Sequence, residues 1–572
     1  MSTDKKTASK ILIIGIDGAT FSLIAPWAEE GKLPHLRHLM QNGAWGNLDS
    51  TIPPLTSPAW TSFMTGKNPG KHGLFHFISP KPGTYGFDYT NANTRRSRTI
   101  WSILSGHGKT VGVVNVPMTF PPEKVNGFMI SGMDTPDENS DFIYPGSLRD
   151  ELQRDFGGVR LEIRHLEFMR SDDKRDAVLR EMATLEDHRA KLAVHLLGRH
   201  PVDVFMLVFC SVDQIQHYFW HYMDKNHFRH DGNGSSKFKD AILHAYQTID
   251  TKLGEMLEAV PEDTTIVLMS DHGAGPSSPT IVHLNRYMAD IGVLKFKETS
   301  PRSFLHLAVK TFDPLLRRTL TPRQKAKIAN FFPGVRKKWE TSLTSLSAID
   351  WESTKAFCYE VLPTYTNVYV NLKGKFPHGT VNPGAEYEEL LGFITDRLHG
   401  LKDPETGTKV VKGIFRKHEV YTGPYAESAP DLLLSWWDDD SFTLRPSPQE
   451  SDGTVVKKLS AGADNFVNWS GTHRYKGIFL FKGRPFRHAH VPDGTGIADL
   501  APTLLYLMGC PIPEDMDGKV IESAFSGEYL RDHPINYAPP SDPVQDGPGE
   551  GSYSDEEADM IKKRLKALGY LE

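Results

Sequence analysis

One recurring feature constrains this chain more than any other. Short runs of Ile, Val, Leu and Phe stop on polar or acidic residues. "ILIIGID" stops at Asp17, "VDVFMLVFCSVD" at Asp213 and "TTIVLMSDH" at Asp271-His272, and "TVGVVNV" and "YKGIFLFKG" have the same apolar form. Helix-length periodic segments separate several of these runs. A strand that is apolar on both sides must be covered on both sides. The alternation therefore predicts an α/β fold: a mostly parallel central sheet with helices on both faces. In such sheets ligands bind beyond the carboxyl ends of the strands. Asp17, Asp213, Asp271 and His272 all fall at those ends.

At 572 residues the chain exceeds one small domain, and 39% apolar with 24% charged residues fits a large buried core. A net charge of −6 does not suit a molecule built to coat nucleic acid. The three cysteines, Cys210, Cys358 and Cys510, are odd in number and far apart. They suit a reducing compartment, so a cytoplasmic location is expected. They also lack zinc-finger spacing, which leaves histidines and carboxylates to hold any metal. The apolar run at Ile11–Ile16 is too short for a signal peptide and ends on Asp17. No run reaches the about 18 apolar residues of a transmembrane helix, so none is expected.

Residues 1–294 read as the first part of a core, 295–430 as an inserted α/β cap, 431–536 as the second part of the core, and 537–572 as a linker and C-terminal helix. Between Lys295 and Glu340 there are twelve Lys/Arg and three Asp/Glu. The plain reading is solvated helix faces. The sharper one is a basic surface that steers an anionic substrate or makes peripheral contact with a membrane. Inside the cap, "TNVYVNLKG" predicts a strand and "GAEYEELLGFITDRLHGL" a helix. At the C-terminus, Ser554 and Glu557 form a capping box for a docking helix.

Asp213 and His217 are four residues apart in a predicted helix, so they share one face and can ligate one divalent ion. Alone, such a pair is often a surface contact. Asp271-His272 offers two ligands on a Gly-rich loop, or else an Asx turn. Asp17 in "GIDGAT" has glycines that allow close backbone approach, or else caps the next segment. His473 in "WSGTHRYKG" would by itself be structural. Taken together, these three carboxylates and three histidines can make two metal sites. Two divalent ions about 4 Å apart suit phosphoryl transfer. The remaining requirement is a hydroxyl nucleophile. In "TIPPLTSPAWTSFMTGKNPGKHG", Pro58 fits the first helical position and Ser57 the N-cap. Thr56 then lies just outside the helix beside free N–H groups, a phosphate-binding position, and is a plausible nucleophile.

The ordered motifs "IGIDG", "PLTSPAWTSFMTGKNPGKHG", "SVDQIQH", "MSDHGAG" and "SGTHR" resemble the alkaline phosphatase superfamily, within it the type I phosphodiesterase/nucleotide pyrophosphatase group. "VVNVPMTFPP", "HLNRYM", "VYVNLKGKFPHG" and "RLKALGYLE" are similar to a bacterial and archaeal branch of predicted phosphohydrolases or phosphomutases. The resemblance implies a hydrolase with two divalent ions. Asp213, His217 and His473 would hold one; Asp17, Asp271 and His272 would hold the other, which Thr56 contacts as nucleophile. Zinc is usual in the pyrophosphatase relatives and manganese in the mutase relatives; the imidazole content leans toward zinc. The implied substrate is a small phosphorylated molecule, such as a nucleotide or another phosphodiester. Oligomeric state is left open.

This sequence departs from the pyrophosphatases after "HG". An Asn that contacts a phosphate oxygen is missing, and Phe77 stands at about that place. Lys71 is the candidate replacement; its alternative role is to satisfy the helix C-terminus. The rival within the superfamily is a phosphomutase or phosphomonoesterase, but the threonine and the Asp-x-x-x-His pair favour diester hydrolysis. A non-catalytic binding protein on the same fold would show a lost ligand, and all seven side chains are present.

Overall fold

The computed structural model describes residues 10–161, 171–230, 237–297, 345–360, 366–437, 442–447, 454–459, 469–541 and 553–567. Its strands relevant to the site are β1 (Ile11–Ile16), β2 (Ala44–Asp49), β3 (Val111–Val116), β4 (Gly127–Ser131), β5 (Ile143–Tyr144), β6 (Val204–Phe209), β7 (Thr265–Met269), β8 (Gly273–Pro276), β9 (Gly471–Arg474), β10 (Lys476–Lys482) and β11 (Ala489–His490). Among its helices are α1 (Phe21–Glu29), α2 (Thr56–Thr65), α3 (Gly146–Phe156), α4 (Asp172–Arg199), α5 (Ser211–Met223), α6 (Ala241–Glu258), α7 (Ala385–His399), α8 (Leu500–Leu507) and α9 (Asp555–Ala567).

Nine strands form the central sheet in the order β11-β2-β10-β7-β1-β6-β3-β4-β5. The middle is parallel: β1 pairs with β6 and β7, and β3 with β6 and β4. Every residue of β1, β3, β6 and β7 is buried, as the unbroken apolar runs require. Helices cover the sheet in two groups. In one, α6 packs against α4 and α5, with Trp27 of α1 edge-on to Tyr246 of α6; in the other, α2 packs against α8.

The run "YKGIFLFKG" is a central strand, but β10 lies antiparallel to both β2 and β7. A run buried on both faces carries no mark of its direction, so its pattern alone cannot reveal the inversion.

A four-stranded sheet from Ala356–Phe357, Asn367–Val370, Leu432–Leu434 and Ile414–Arg416 contains the strand expected in "TNVYVNLKG", and α7 is the helix expected after it. This part grips the segment around α2: Tyr421 donates its hydroxyl to Ile52 O (2.6 Å), and Tyr425 N bonds Gly70 O (2.9 Å). Most of the basic stretch, residues 298–344, lies outside the described residues. The C-terminal helix starts with the expected capping box, Ser554 N to Glu557 Oε2 (2.8 Å) and Glu557 N to Ser554 Oγ (3.3 Å). It docks through buried Ile561 and Leu565, while Tyr553 donates to Asp134 O (2.6 Å). Among the described residues no helix is long and apolar enough to cross a membrane.

Candidate metal centre

The parallel strands deliver the acids to one end of the sheet. Asp17 is the residue after β1, and its N–H continues the ladder to Phe209 O at 2.9 Å. Asp213 and His217 stand one turn apart on α5, which begins two residues after β6. Asp271 and His272 lie between β7 and β8. His473 comes from β9, where the antiparallel β8–β9 ladder sets it opposite Ala274. Four segments far apart in sequence thus place six ligand-type side chains together, each at most 3% exposed.

Their polar atoms converge. His217 Nε2 is 3.1 Å from Asp213 Oδ2 and 3.1 Å from His473 Nε2, and His473 Nε2 is 3.8 Å from Asp213 Oδ1. His272 Nε2 is 3.2 Å from Asp271 Oδ2 and 3.7 Å from Asp17 Oδ1. Ligand atoms bound at about 2.1 Å around a tetrahedral zinc ion are separated by about 3.4 Å, within this range. Asp213, His217 and His473 form one group with atoms within 4.8 Å of one another; Asp17, Asp213 and His272 form a second. Asp213 therefore adjoins both groups, a sharing that its helical spacing could not reveal.

The outer nitrogens fix the chemistry of the inner ones. Nδ1 of His217 faces Gly471 O at 2.9 Å, Nδ1 of His473 faces Pro54 O at 2.9 Å, and Nδ1 of His272 faces Gly273 O at 3.0 Å. A carbonyl oxygen only accepts, so each Nδ1 carries the proton and each Nε2 presents a lone pair to the cluster. This is the orientation of a ligating imidazole. Trp469 stacks on His217 at 3.6 Å, and His272 stacks on His473 at 3.6 Å, fixing the ring planes.

The electrostatics fit a cation. Burial, then the neighbouring Asp271 and Asp213, pushes the Asp17 carboxyl well up; burial, then Asp213, pushes Asp271 up to about 8. Burial pulls His272 down to about 3, and burial followed by His272 pulls His473 well down. Acids crowded together resist ionising, and imidazoles in the same pocket resist charging. Asp17 Oδ1 and Asp271 Oδ2 accept no hydrogen bond among the described residues. A divalent cation satisfies these oxygens and the imidazole lone pairs together, so the donor set fits a metal.

Thr56 is at the cluster but not where the sequence put it. The helix begins at Thr56, with Leu55 as N-cap, so Ser57 is not the cap and Pro58 is the third helical residue. Ala59 N closes the first turn onto Leu55 O at 3.0 Å. Proline is tolerated throughout this turn because its missing N–H has no intrahelical acceptor there, so it does not fix the start to one residue. Ser57 Oγ is buried and makes no hydrogen bond among the described residues. Thr56 is fully buried, with Oγ1 3.4 Å from His272 Nε2.

Lys71 is committed elsewhere. Its ammonium is 2.6 Å from Asp517 Oδ1 and 2.9 Å from Asp515 O. Phe77, at the place of the absent Asn, is a buried core residue. Sequence reasoning missed three supports of the cluster. Trp60, one turn after Thr56, donates Nε1–H to Asp17 Oδ2 at 3.4 Å. Trp469 covers His217. Glu186 of α4, fully buried, accepts the N–H groups of Cys210 (3.1 Å) and Ser211 (2.8 Å) at the start of α5. The spacing of Trp60 from Thr56 on one helix was a signal; for Glu186 there was none.

The chain is a hydrolase whose mostly parallel α/β sheet carries this cluster at its carboxyl end. More particularly, the chain belongs to the type I phosphodiesterase / nucleotide pyrophosphatase family, whose profile matches residues 11–349. It is accordingly a hydrolase acting on phosphoester bonds. Among solved structures, phosphonoacetate hydrolase from Sinorhizobium meliloti 1021 is 15% identical with a TM-score of 0.47, the match covering 88% of this chain and 95% of that one. Murine ectonucleotide pyrophosphatase / phosphodiesterase 5 is 13% identical with a TM-score of 0.47, covering 92% and 99%. The human protein of the same name is 13% identical with a TM-score of 0.46, covering 92% and 99%.

Proposed function

We propose that this protein is a phosphodiesterase that uses Thr56 as nucleophile and two divalent ions, zinc before manganese. Asp213, His217 and His473 hold one ion; Asp17, Asp271 and His272 hold the other, with Asp213 bordering both. The observation that carries the reading is the Thr56 hydroxyl, 3.4 Å from His272 Nε2, the nitrogen that two carboxylates also approach. Bound ions supply positive charge that acidifies a hydroxyl or water and neutralises phosphoryl oxygens.

The protein's own groups do the rest. The first turn of α2 aims main-chain N–H groups at a phosphoryl group held over Thr56. Thr56 Oγ1 attacks phosphorus in line, its bond to the leaving alcohol breaks, and the hydroxyl proton departs to that alcohol. Water then attacks the phosphothreonine, the bond to Oγ1 breaks, and threonine recovers its proton. Trp60 Nε1–H keeps Asp17 in place meanwhile, and Gly18 N–H keeps Asp271 (3.3 Å). The described part of the expected cap, residues 345–360 and 366–430 with the strand Leu432–Leu434, selects the substrate, a small phosphorylated molecule.

The test is a screen of chelator-stripped protein with added zinc or manganese. Substrates are bis-p-nitrophenyl phosphate, p-nitrophenyl phosphate, and 2- and 3-phosphoglycerate. Faster turnover of the diester than of either monoester class is expected. Interconversion of the phosphoglycerates without diester hydrolysis would replace this reading with a mutase.

A further inference from the structure

Away from the central cluster, α3 follows β5 at the edge of the sheet and lies beside the C-terminal end of α4. Glu151 and Asp155 are one turn apart on α3 and share a face. His195 of α4 points its Nε2 between them, 3.3 Å from Glu151 Oε1 and 3.6 Å from Asp155 Oδ2. His200, just after α4, has Nε2 at 2.9 and 3.0 Å from the two Glu151 oxygens. One ligand atom from each of Glu151, Asp155 and His195 lies within 4.8 Å of the others.

The distances are compatible with a metal site. Charge-assisted N–H···O bonds run about 2.7–2.9 Å. The His200–Glu151 contacts, 2.9 and 3.0 Å, lie at the upper end of that range, and the two His195 contacts, 3.3 and 3.6 Å, are longer. They fit the about 3.4 Å ligand–ligand separation around a tetrahedral ion, and they fall within the 3.1–3.8 Å of the central group. The rings are also held. Phe156 stands edge-on to His195 (4.9 Å, 80°) and Phe128 edge-on to His200 (5.9 Å, 66°). The side chains of Glu151, Asp155 and His195 are 19–30% exposed, so solvent ions reach them. Arg199 Nη2 is 3.8 Å from Asp155 Oδ2, but its side chain is 67% exposed and can swing away.

We infer that Glu151, Asp155 and His195 form a further divalent-cation site, with His200 orienting Glu151. The mixed imidazole and carboxylate donors suit zinc better than calcium or magnesium. The ion ties α3, which buries only Leu148 and Leu152, to the end of α4. The site is structural and independent of the central cluster.

The experiment counts bound zinc by elemental analysis and calorimetry on the full-length protein, stripped with chelator and reloaded. His195→Ala and Glu151→Gln are each expected to bind one equivalent less than wild type, with unchanged turnover of bis-p-nitrophenyl phosphate once zinc-saturated. The Asp213→Asn/His217→Ala double variant, which keeps the Asp17, Asp271 and His272 group, should lose one further zinc equivalent on His195→Ala. Should His195→Ala fail to fold, the near-isosteric Glu151→Gln gives the same reading. Equal zinc content in wild type and Glu151→Gln, or a titration in the double variant that is indifferent to His195→Ala, overturns the site.

Discussion

His217 Nε2 and His473 Nε2 stand 3.1 Å apart, and the Nδ1 of each ring already faces a main-chain carbonyl. Two lone pairs held so close repel, and a cation that binds both removes the repulsion. The fold therefore gains stability from the ion. At a free-ion concentration of 100 Kd the gain is about 2.7 kcal/mol. Chelation should lower the melting temperature of the wild type and zinc should restore it. His473→Ala should lose most of the zinc-dependent increment, read by scanning fluorimetry. Equal increments in both proteins would remove His473 from the centre.

Gly18 tests how tightly the acids are packed. Its φ is +67°, and a Cβ there would lie 2.7 Å from Asp213 Oδ1. Gly18→Ala therefore strains the backbone and pushes the carboxylate that adjoins both groups. Diesterase activity should fall by about 10²-fold, as for a ligand displaced by roughly 1 Å, with weaker zinc binding by calorimetry. Wild-type zinc affinity in Gly18→Ala would contradict the packing argument.

Glu186 positions α5. Its carboxylate bonds Cys210 N and Ser211 N and pairs with Arg189 Nη1 at 3.0 Å. Glu186→Ala strips this buried guanidinium of its carboxylate and should cost about 3–5 kcal/mol. Glu186→Gln retains an acceptor and should cost less. Urea unfolding of the two variants reads the order; equal and small losses would contradict it.

Part of this arrangement was legible in the sequence and part was not. The strands β1, β3, β6 and β7 were readable because burial on both faces demands unbroken apolar runs. Asp17 and Asp271-His272 were readable because a polar residue ending such a run sits at the sheet's carboxyl edge. The antiparallel direction of β10 was not, since direction leaves no trace in a uniformly apolar strand. Neither was the helix start at Thr56, because the first turn tolerates proline at several positions. The partners of Lys71, Asp515 and Asp517, lie more than 440 residues away, and no local pattern reports such a contact.

Acid should destabilise the fold through buried neutral histidines outside the centre. Burial pulls His72 down to about 3, with Arg95 and Lys67 adding to it, and burial pulls His76 down to about 3. These pKa values are depressed on folding. The stability is therefore intact above the unfolded value of 6.5 and is lost as pH falls toward about 3. At pH ~5.5 each costs about 1.4 kcal/mol relative to neutral pH. His72→Gln should flatten the pH dependence of urea unfolding; an unchanged slope would contradict this.

The most direct test of the central claim replaces the nucleophile alone. Thr56→Ala should lower turnover of bis-p-nitrophenyl phosphate by about 10³-fold or more, with zinc content and melting temperature close to wild type. Thr56→Ser should keep measurable turnover. Hydrolysis at the wild-type rate by metal-loaded Thr56→Ala would contradict Thr56 as the attacking group.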